Sequence, residues 1–208
     1  MPRWGSPCVS FAASRQRAFS RYVLAVQLMT RTRSRHSRLE RGSERVHNIT
    51  AIVIADAFKA EVARALDLVA VPLTSPLTLF HLDHYYTAYW QAFRGCTKQL
   101  DVPSEFPGGF PREGIVAQLV VELTGVDAPR FAIIQTEYFG GAGDQWACAF
   151  TGEHRETGAS ATINDALRLL GVVRHGNQDE FDSIGLGAYR SPPVYLERYV
   201  GLCDELGV

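Results

Sequence analysis

Residues 136–146 hold the greatest concentration of chemically useful side chains in the chain. The segment reads TEYFGGAGDQW and combines two carboxylates, a phenol, an amide and three glycines. Carboxylates at positions 137 and 144 flank the glycines, and two carboxylates brought together can divide acid and base roles or hold a hard cation. We therefore take this segment as the candidate binding site, with the members Glu137, Tyr138, Gly140, Gly141, Gly143, Asp144 and Gln145.

Strand-forming sequence flanks these glycines on both sides. Residues 131–139 and 145–151 are rich in apolar residues, which predicts two strands joined as a hairpin by a loop of about five residues. A phosphate-binding loop needs its glycines to lead into a helix, and here they lead into a strand. The G-x-G-x-x-G pattern also fails, because Trp146 stands in place of the third glycine. The sequence thus favours a hairpin with Glu137 and Asp144 near its tip and argues against nucleotide binding.

Other chemical patterns are weaker. His81, Asp83 and His84 form an H-x-D-H motif, but the predicted boundary between a strand and a helix separates the two histidines. This boundary disfavours a shared metal and predicts that Asp83 caps the helix. Neither a C-x-x-C nor a G-x-S-x-G motif occurs, and Cys148 in its apolar strand is predicted to be a buried thiol. We accordingly predict no catalytic residue, no metal and no cofactor.

The remaining elements mix strands and helices without regular alternation. Strands are predicted at residues 49–55 and 77–82, while residues 115–123 fit either a strand or a buried helix. The predicted helices are residues 57–67 (capped by Asp56), residues 84–93 (capped by Asp83 and ended by Gly95), a helix opening with the capping-box pair Thr162 and Asp165, and a last helix opening at Ser191 and Pro192. The order predicts one α+β domain over residues 46–208, with short antiparallel strands and about four helices.

Charge is divided unevenly along the chain. Residues 1–45 contain ten Arg and two Glu, a net charge of +8, so the remaining residues contain 11 bases and 20 acids, a net charge of −9. An acidic body repels the phosphates of nucleic acids, so we expect no nucleic-acid surface on it. The same charge suits a protein partner with a basic surface and speeds their encounter.

The Arg- and Ser-rich segment 1–45 has three interpretations. It fits residues translated upstream of a true start at Val46, which the codon GTG can encode; a disordered basic arm; or a mitochondrial transit peptide. The first is favoured, because nineteen Arg against two Lys in the whole chain indicates a GC-rich, bacterial genome. The segment shows no sustained amphipathic period, so we expect a basic, disordered leader in every case.

Apolar runs in the chain fall short of the roughly 18 residues that a transmembrane helix needs. The four cysteines are widely spaced and fit reduced thiols rather than a disulfide framework. Both observations predict a cytoplasmic protein with no membrane partner, and neither indicates an oligomeric state.

The body resembles a group of bacterial proteins of unassigned activity that share three short segments. One is a Phe-Gly-Gly-x-Gly-x-Gln stretch, which lies within residues 137–145 here; the others are Ile-Asn-x-Ala-Leu at 163–167 and Phe-Asp-x-x-Gly-Leu-Gly at 181–187. The resemblance covers about half of the chain and implies kinship without an activity.

Two functions remain open from the sequence. The acidic body and the missing catalytic motifs favour a non-enzymatic binding or interaction protein, of an accessory or immunity type. The alternative is a metal-dependent, hydrolase-like enzyme that uses Glu137 and Asp144, with His154 as a further candidate group.

Overall fold

Among the residues that the structure describes, six strands form one antiparallel sheet. The computed structural model describes residues 47–139 and 142–208, and the predicted disordered leader lies outside these ranges. The strands are β1 (His47–Ile54), β2 (Ala70–Pro72), β3 (Thr78–His81), β4 (Arg130–Phe139), β5 (Ala142–Thr151) and β6 (His154–Arg155). Their order in the sheet is β2-β3-β1-β4-β5-β6. The predicted α+β fold is confirmed.

Helices lie on both sides of this sheet. Those formed by the described residues are α1 (Ala60–Ala65), α2 (His84–Arg94), α3 (Ile115–Thr124), α4 (Ile163–Leu169), α5 (Glu180–Ser183) and α6 (Arg198–Leu206), with 3₁₀ turns at Leu186–Ala188 and Val194–Glu197. They exceed the predicted number of about four because α3, which the sequence left open between strand and helix, and the single turn α5 were not among the predicted helices. None of them is long and apolar enough to cross a membrane.

Alternate residues of β1 pack into two different cores. Ile49, Ala51 and Val53 join a buried cluster with residues of α4 and α5. Ile52 points to the opposite face, where it pairs with Phe80 of β3 and Ile133 of β4. On that side, α2 packs against α3 and α6, and α3 also contacts α1. Because both faces are buried at the centre of the sheet, the strands read as nearly continuous apolar runs rather than alternating ones.

Two helices begin as the local sequence predicts. The Asp83 carboxylate accepts a hydrogen bond from the Tyr86 N–H at 2.8 Å, and α2 ends at Gly95 in the left-handed conformation, with φ of 64°. Thr162 and Asp165 form a reciprocal capping box at the start of α4. Such caps contribute about 1 kcal/mol each, which is why they define boundaries that can be predicted.

Three predicted boundaries are wrong. Asp56 does not cap α1, which begins later, after Lys59; instead the Asp56 carboxylate accepts from the Arg130 N–H at 2.9 Å and joins the end of β1 to the start of β4. The last helix does not open at Pro192, because a 3₁₀ turn precedes α6. The hairpin strands extend to Phe139 and Ala142, so only two residues, not about five, connect them. The segment 115–124, left open between strand and helix, is α3.

Candidate functional site

The β4–β5 hairpin places the two predicted carboxylates directly opposite each other. Its register pairs Glu137 with Asp144 and Tyr138 with Gly143. A Cβ at position 143 would collide with the backbone oxygen of Glu137 and lie 2.6 Å from the Cα of Tyr138, so the close approach of the strands requires glycine here. Gly140 and Gly141 fall outside the described residues.

The predicted site residues divide between the two faces of the hairpin. Side chains of paired residues lie on the same face, and successive side chains alternate between faces. Glu137 and Asp144 therefore share one face, whereas Tyr138, Gly143 and Gln145 belong to the other. The predicted group thus does not converge on a single cleft.

The face that carries the two carboxylates continues onto neighbouring strands as two rows of three residues. One row runs across β1, β4 and β5 through Asn48, Glu137 and Asp144, and the next runs through Thr50, Gln135 and Trp146. We call these six residues the polar strip. The first row is exposed, while Thr50 and Trp146 are half-buried and Gln135 is 5% exposed. The strip thus offers carboxylates, amides, a hydroxyl and an indole side by side on three strands.

No cation of the described residues balances the negative charge of the polar strip. Like charges directly opposite each other on paired strands destabilise a sheet. Within residues 47–139 and 142–208, no basic side chain forms an ion pair with Glu137 or Asp144. Some other exposed carboxylates on the described surface do have a cation, as Glu122 has Arg94. The strip is therefore a place where added positive charge would stabilise the fold.

Gln135 connects the two rows of the polar strip. Its Nε2 donates a hydrogen bond to Oε1 of Glu137 at 2.8 Å. Its own Oε1 is buried and has no hydrogen-bond partner among the described residues. A buried amide oxygen without a donor costs about 1–3 kcal/mol. The strip therefore contains an unused acceptor next to its carboxylates.

The opposite face of the hairpin has a different environment. Nδ1 of His47 lies 2.8 Å from the hydroxyl of Thr136, and the His47 ring contacts that of Phe181 with centroids 5.5 Å apart. Burial is the main cause that lowers the pKa of His47, and the charge of Arg190 adds to it. Tyr138 pairs with His47 in the sheet, so it belongs to this histidine environment and not to the carboxylates.

The H-x-D-H motif separates as its predicted boundary implies. His81 ends β3 and is buried, whereas His84 begins α2, with Nδ1 2.9 Å from Oε1 of Glu113. The other oxygen of Glu113 accepts hydrogen bonds from the Thr87 hydroxyl at 2.7 Å and the Arg112 N–H at 2.9 Å. No local spacing links Glu113 to His84, so this pair could not be predicted. The His84–Glu113 pair orients the imidazole of His84 and connects the start of α2 to the loop before α3.

Metal-binding potential is limited in the part of the chain that the structure describes. No group of three or more His, Cys, Asp or Glu residues is placed to hold a metal ion there. Glu137 and Asp144 supply two carboxylates, and His154 lies at the far end of β5, in β6. Cys148 is buried as predicted, and burial raises its pKa to about 11, which keeps it a thiol at neutral pH.

Comparison of the chain with protein-family models, with curated proteins and with solved structures finds no significant match. The geometry of the polar strip and its charge are therefore the features that bear on function.

Proposed function

We propose that this protein is a non-enzymatic binding protein, of an accessory or immunity type, whose polar strip binds a basic group on the surface of a protein partner. The observation that carries the proposal is the Glu137–Asp144 pair: two exposed carboxylates directly opposed in the sheet, with no cation among the described residues to balance them. A partner's Lys or Arg side chain would supply the missing charge.

Two further features support a protein partner. Trp146 lies in the neighbouring row of the polar strip and is half-buried, so its indole offers a rigid apolar surface beside the carboxylates. Tryptophan is enriched among the residues that dominate protein interfaces, and its ring attracts cations. Phe139, at the end of the same face, is 63% exposed and extends this surface. The net charge of −9 on residues 46–208 would speed the approach of a basic partner.

Two short peptide amides, GGKKKGG and GGRRRGG, test this proposal as defined basic probes. The protein is labelled with ¹⁵N and titrated with each peptide, and backbone amide shifts locate the binding surface. We expect at least one peptide to shift the amides of residues 135–139 and 142–146. Exposed ion pairs contribute up to about 1 kcal/mol each, so the double variant Glu137→Gln/Asp144→Asn should weaken the peptide by roughly 5- to 30-fold.

A charge-matched control separates the polar strip from the general acidity of the body. Asp127 and Glu156 are exposed carboxylates outside the strip, so the variant Asp127→Asn/Glu156→Gln makes the same change in net charge. It should leave the affinity within about twofold, because distant exposed charges are screened at physiological salt. Equal loss in both double variants would refute a specific surface. Thermal stabilisation by Mg²⁺, Mn²⁺, Ca²⁺ or Zn²⁺ that Glu137→Ala abolishes would support the metal-dependent alternative instead.

A further inference from the structure

The amide of Gln135 has only one favourable orientation. Its Nε2 lies 2.8 Å from Oε1 of Glu137. Rotating the amide by 180° would bring two oxygen acceptors to that distance with no proton between them. The oxygen of Gln135 must therefore be the atom that is left buried without a donor. This acceptor lies next to the two exposed carboxylates and has no hydrogen-bond donor among the described residues.

The acceptors of the polar strip exceed what an ammonium group can satisfy. The acceptors are the two oxygens of Asp144, the outer oxygen of Glu137 and, in the adjacent row, the oxygen of Gln135. Lysine offers three donors on a compact head, whereas arginine offers five in a planar fork that pairs with carboxylates through two bonds at once. Directly opposed residues on paired strands have Cβ atoms about 5 Å apart, so Glu137 and Asp144 can both reach one planar group.

The indole of Trp146 favours the same planar group. Trp146 is opposite Gln135 and two residues from Asp144 on β5, so it borders the acceptors on one side. A guanidinium is weakly hydrated and stacks on aromatic faces, which an ammonium does less well. Because the amide oxygen of Gln135 is buried, the exposed Glu137 side chain must change rotamer for a donor to reach this oxygen.

We propose that the polar strip is an arginine-binding site, in which a guanidinium bridges Glu137 and Asp144, donates to the carbonyl oxygen of Gln135 and packs against Trp146. This inference rests on the proposed binding function and adds the chemical identity of the group that is bound. Arginine in an exposed loop or terminus of a partner protein is the source that fits, because the strip is an open surface of a sheet rather than an enclosed cavity.

The peptides GGRRRGG and GGKKKGG, which carry the same charge, distinguish an arginine-specific site from a site that binds any basic group. We expect the arginine peptide to bind at least roughly fivefold more tightly than the lysine peptide, the factor expected for one additional net hydrogen bond. Its binding should shift the side-chain NH₂ signals of Gln135 and the indole N–H signal of Trp146. In Gln135→Met, which has a similar length but no amide, the preference for arginine should fall to within about twofold.

Each outcome of the titrations tests either the arginine site or the binding function. Equal affinity of the two peptides, with both lost in Glu137→Gln/Asp144→Asn, would refute the arginine site and leave the binding function standing. A preference for arginine that survives in Gln135→Met would also refute the role of the amide. Failure of both peptides to perturb residues 135–146 of the wild-type protein would remove both proposals. Gln135→Leu provides a second variant if Gln135→Met does not give a dispersed spectrum.

Discussion

Glu113 should make a large electrostatic contribution to the stability of the described fold. It is 7% exposed, and its carboxylate accepts from Thr87 and Arg112 and contacts His84. Hydrogen bonds to a charged group contribute about 1.5–3 kcal/mol. The Thr87 hydroxyl can turn to the carbonyl oxygen of His84, 3.0 Å away, so Glu113→Ala leaves mainly the Arg112 N–H without its acceptor.

The expected cost of Glu113→Ala follows from these contacts. The His84 side chain is 45% exposed, so its pair with Glu113 is screened by water and adds no more than about 1 kcal/mol. Together with the lost acceptor for Arg112, the variant should lower the free energy of unfolding by about 2–4 kcal/mol. For a chain of this size, 1 kcal/mol corresponds to roughly 2–4 °C in Tm. Differential scanning fluorimetry should therefore show Tm lowered by about 4–16 °C.

The pH dependence of stability tests the contribution of the charges on Glu113 and His84 separately from the packing of their side chains. Burial raises the pKa of Glu113, but hydrogen bonds from His84 and Thr87 outweigh it and hold this pKa below its ordinary value of 4.5. Glu113 therefore contributes stability above pH 4.5, which is lost as the pH falls through its folded pKa. The hydrogen bond to Glu113 raises the pKa of His84 above 6.5. His84 thus contributes stability below pH 6.5, which is lost as the pH rises through its folded pKa.

Urea unfolding of the wild type and of Glu113→Gln should accordingly differ most between pH 4.5 and 6.5, the interval in which both groups are charged. The difference should shrink towards pH 8 and towards pH 3. Glu122→Gln, which removes an exposed carboxylate paired with Arg94, is the control and should show no maximum in that interval. A difference that is constant across this pH range, or that grows above pH 7, would refute the pairing of His84 with Glu113.

Two further predictions concern the hairpin and its strand β5. Gly143→Ala should destabilise the protein by about 1–3 kcal/mol, because the new Cβ meets the backbone of Glu137 and Tyr138 and one strand must shift. Urea unfolding measures this loss of stability. An unchanged midpoint would contradict the close approach of the two strands at Gly143. Cys148 should resist iodoacetamide at pH 8 in the folded protein, since it is buried and its pKa is raised to about 11; peptide mapping checks this, with modification expected only after urea is added.

Sequence-based prediction succeeded where a structure depends on neighbours along the chain. The caps of α2 and α4 are set by residues within one helical turn, Asp83 with Tyr86 and Thr162 with Asp165. Asp56 shows the limit of the same reasoning. Its carboxylate had a suitable position for a cap, but a partner 74 residues away, the Arg130 N–H, uses it to join two strands. Tertiary contacts thus override a local preference that is worth only about 1 kcal/mol.

The composition of the site could not be predicted, because it depends on register between strands. A change of one residue in register moves every side chain of a strand to the other face. A loop of about five residues left the pairing of Glu137 undefined, whereas the observed two-residue connection fixes Asp144 as its partner. Asn48 and Thr50 enter the polar strip only because β1 pairs with β4, and nothing in residues 136–146 indicates that contact.

The polar strip combines two energetic costs in one place. Among the other buried carboxylates, Glu113 has three partners and Glu180 pairs through Oε1 with Arg168 and Arg174, while Oε2 of Glu180 has no hydrogen-bond partner among the described residues. Within residues 47–139 and 142–208, the strip places two opposed carboxylates that have no cation beside a buried amide oxygen that has no donor. Proteins tolerate such local costs mainly at functional sites. One arginine side chain would remove both costs at once, and this is why we regard the strip as a binding surface rather than an incidental feature of the hairpin.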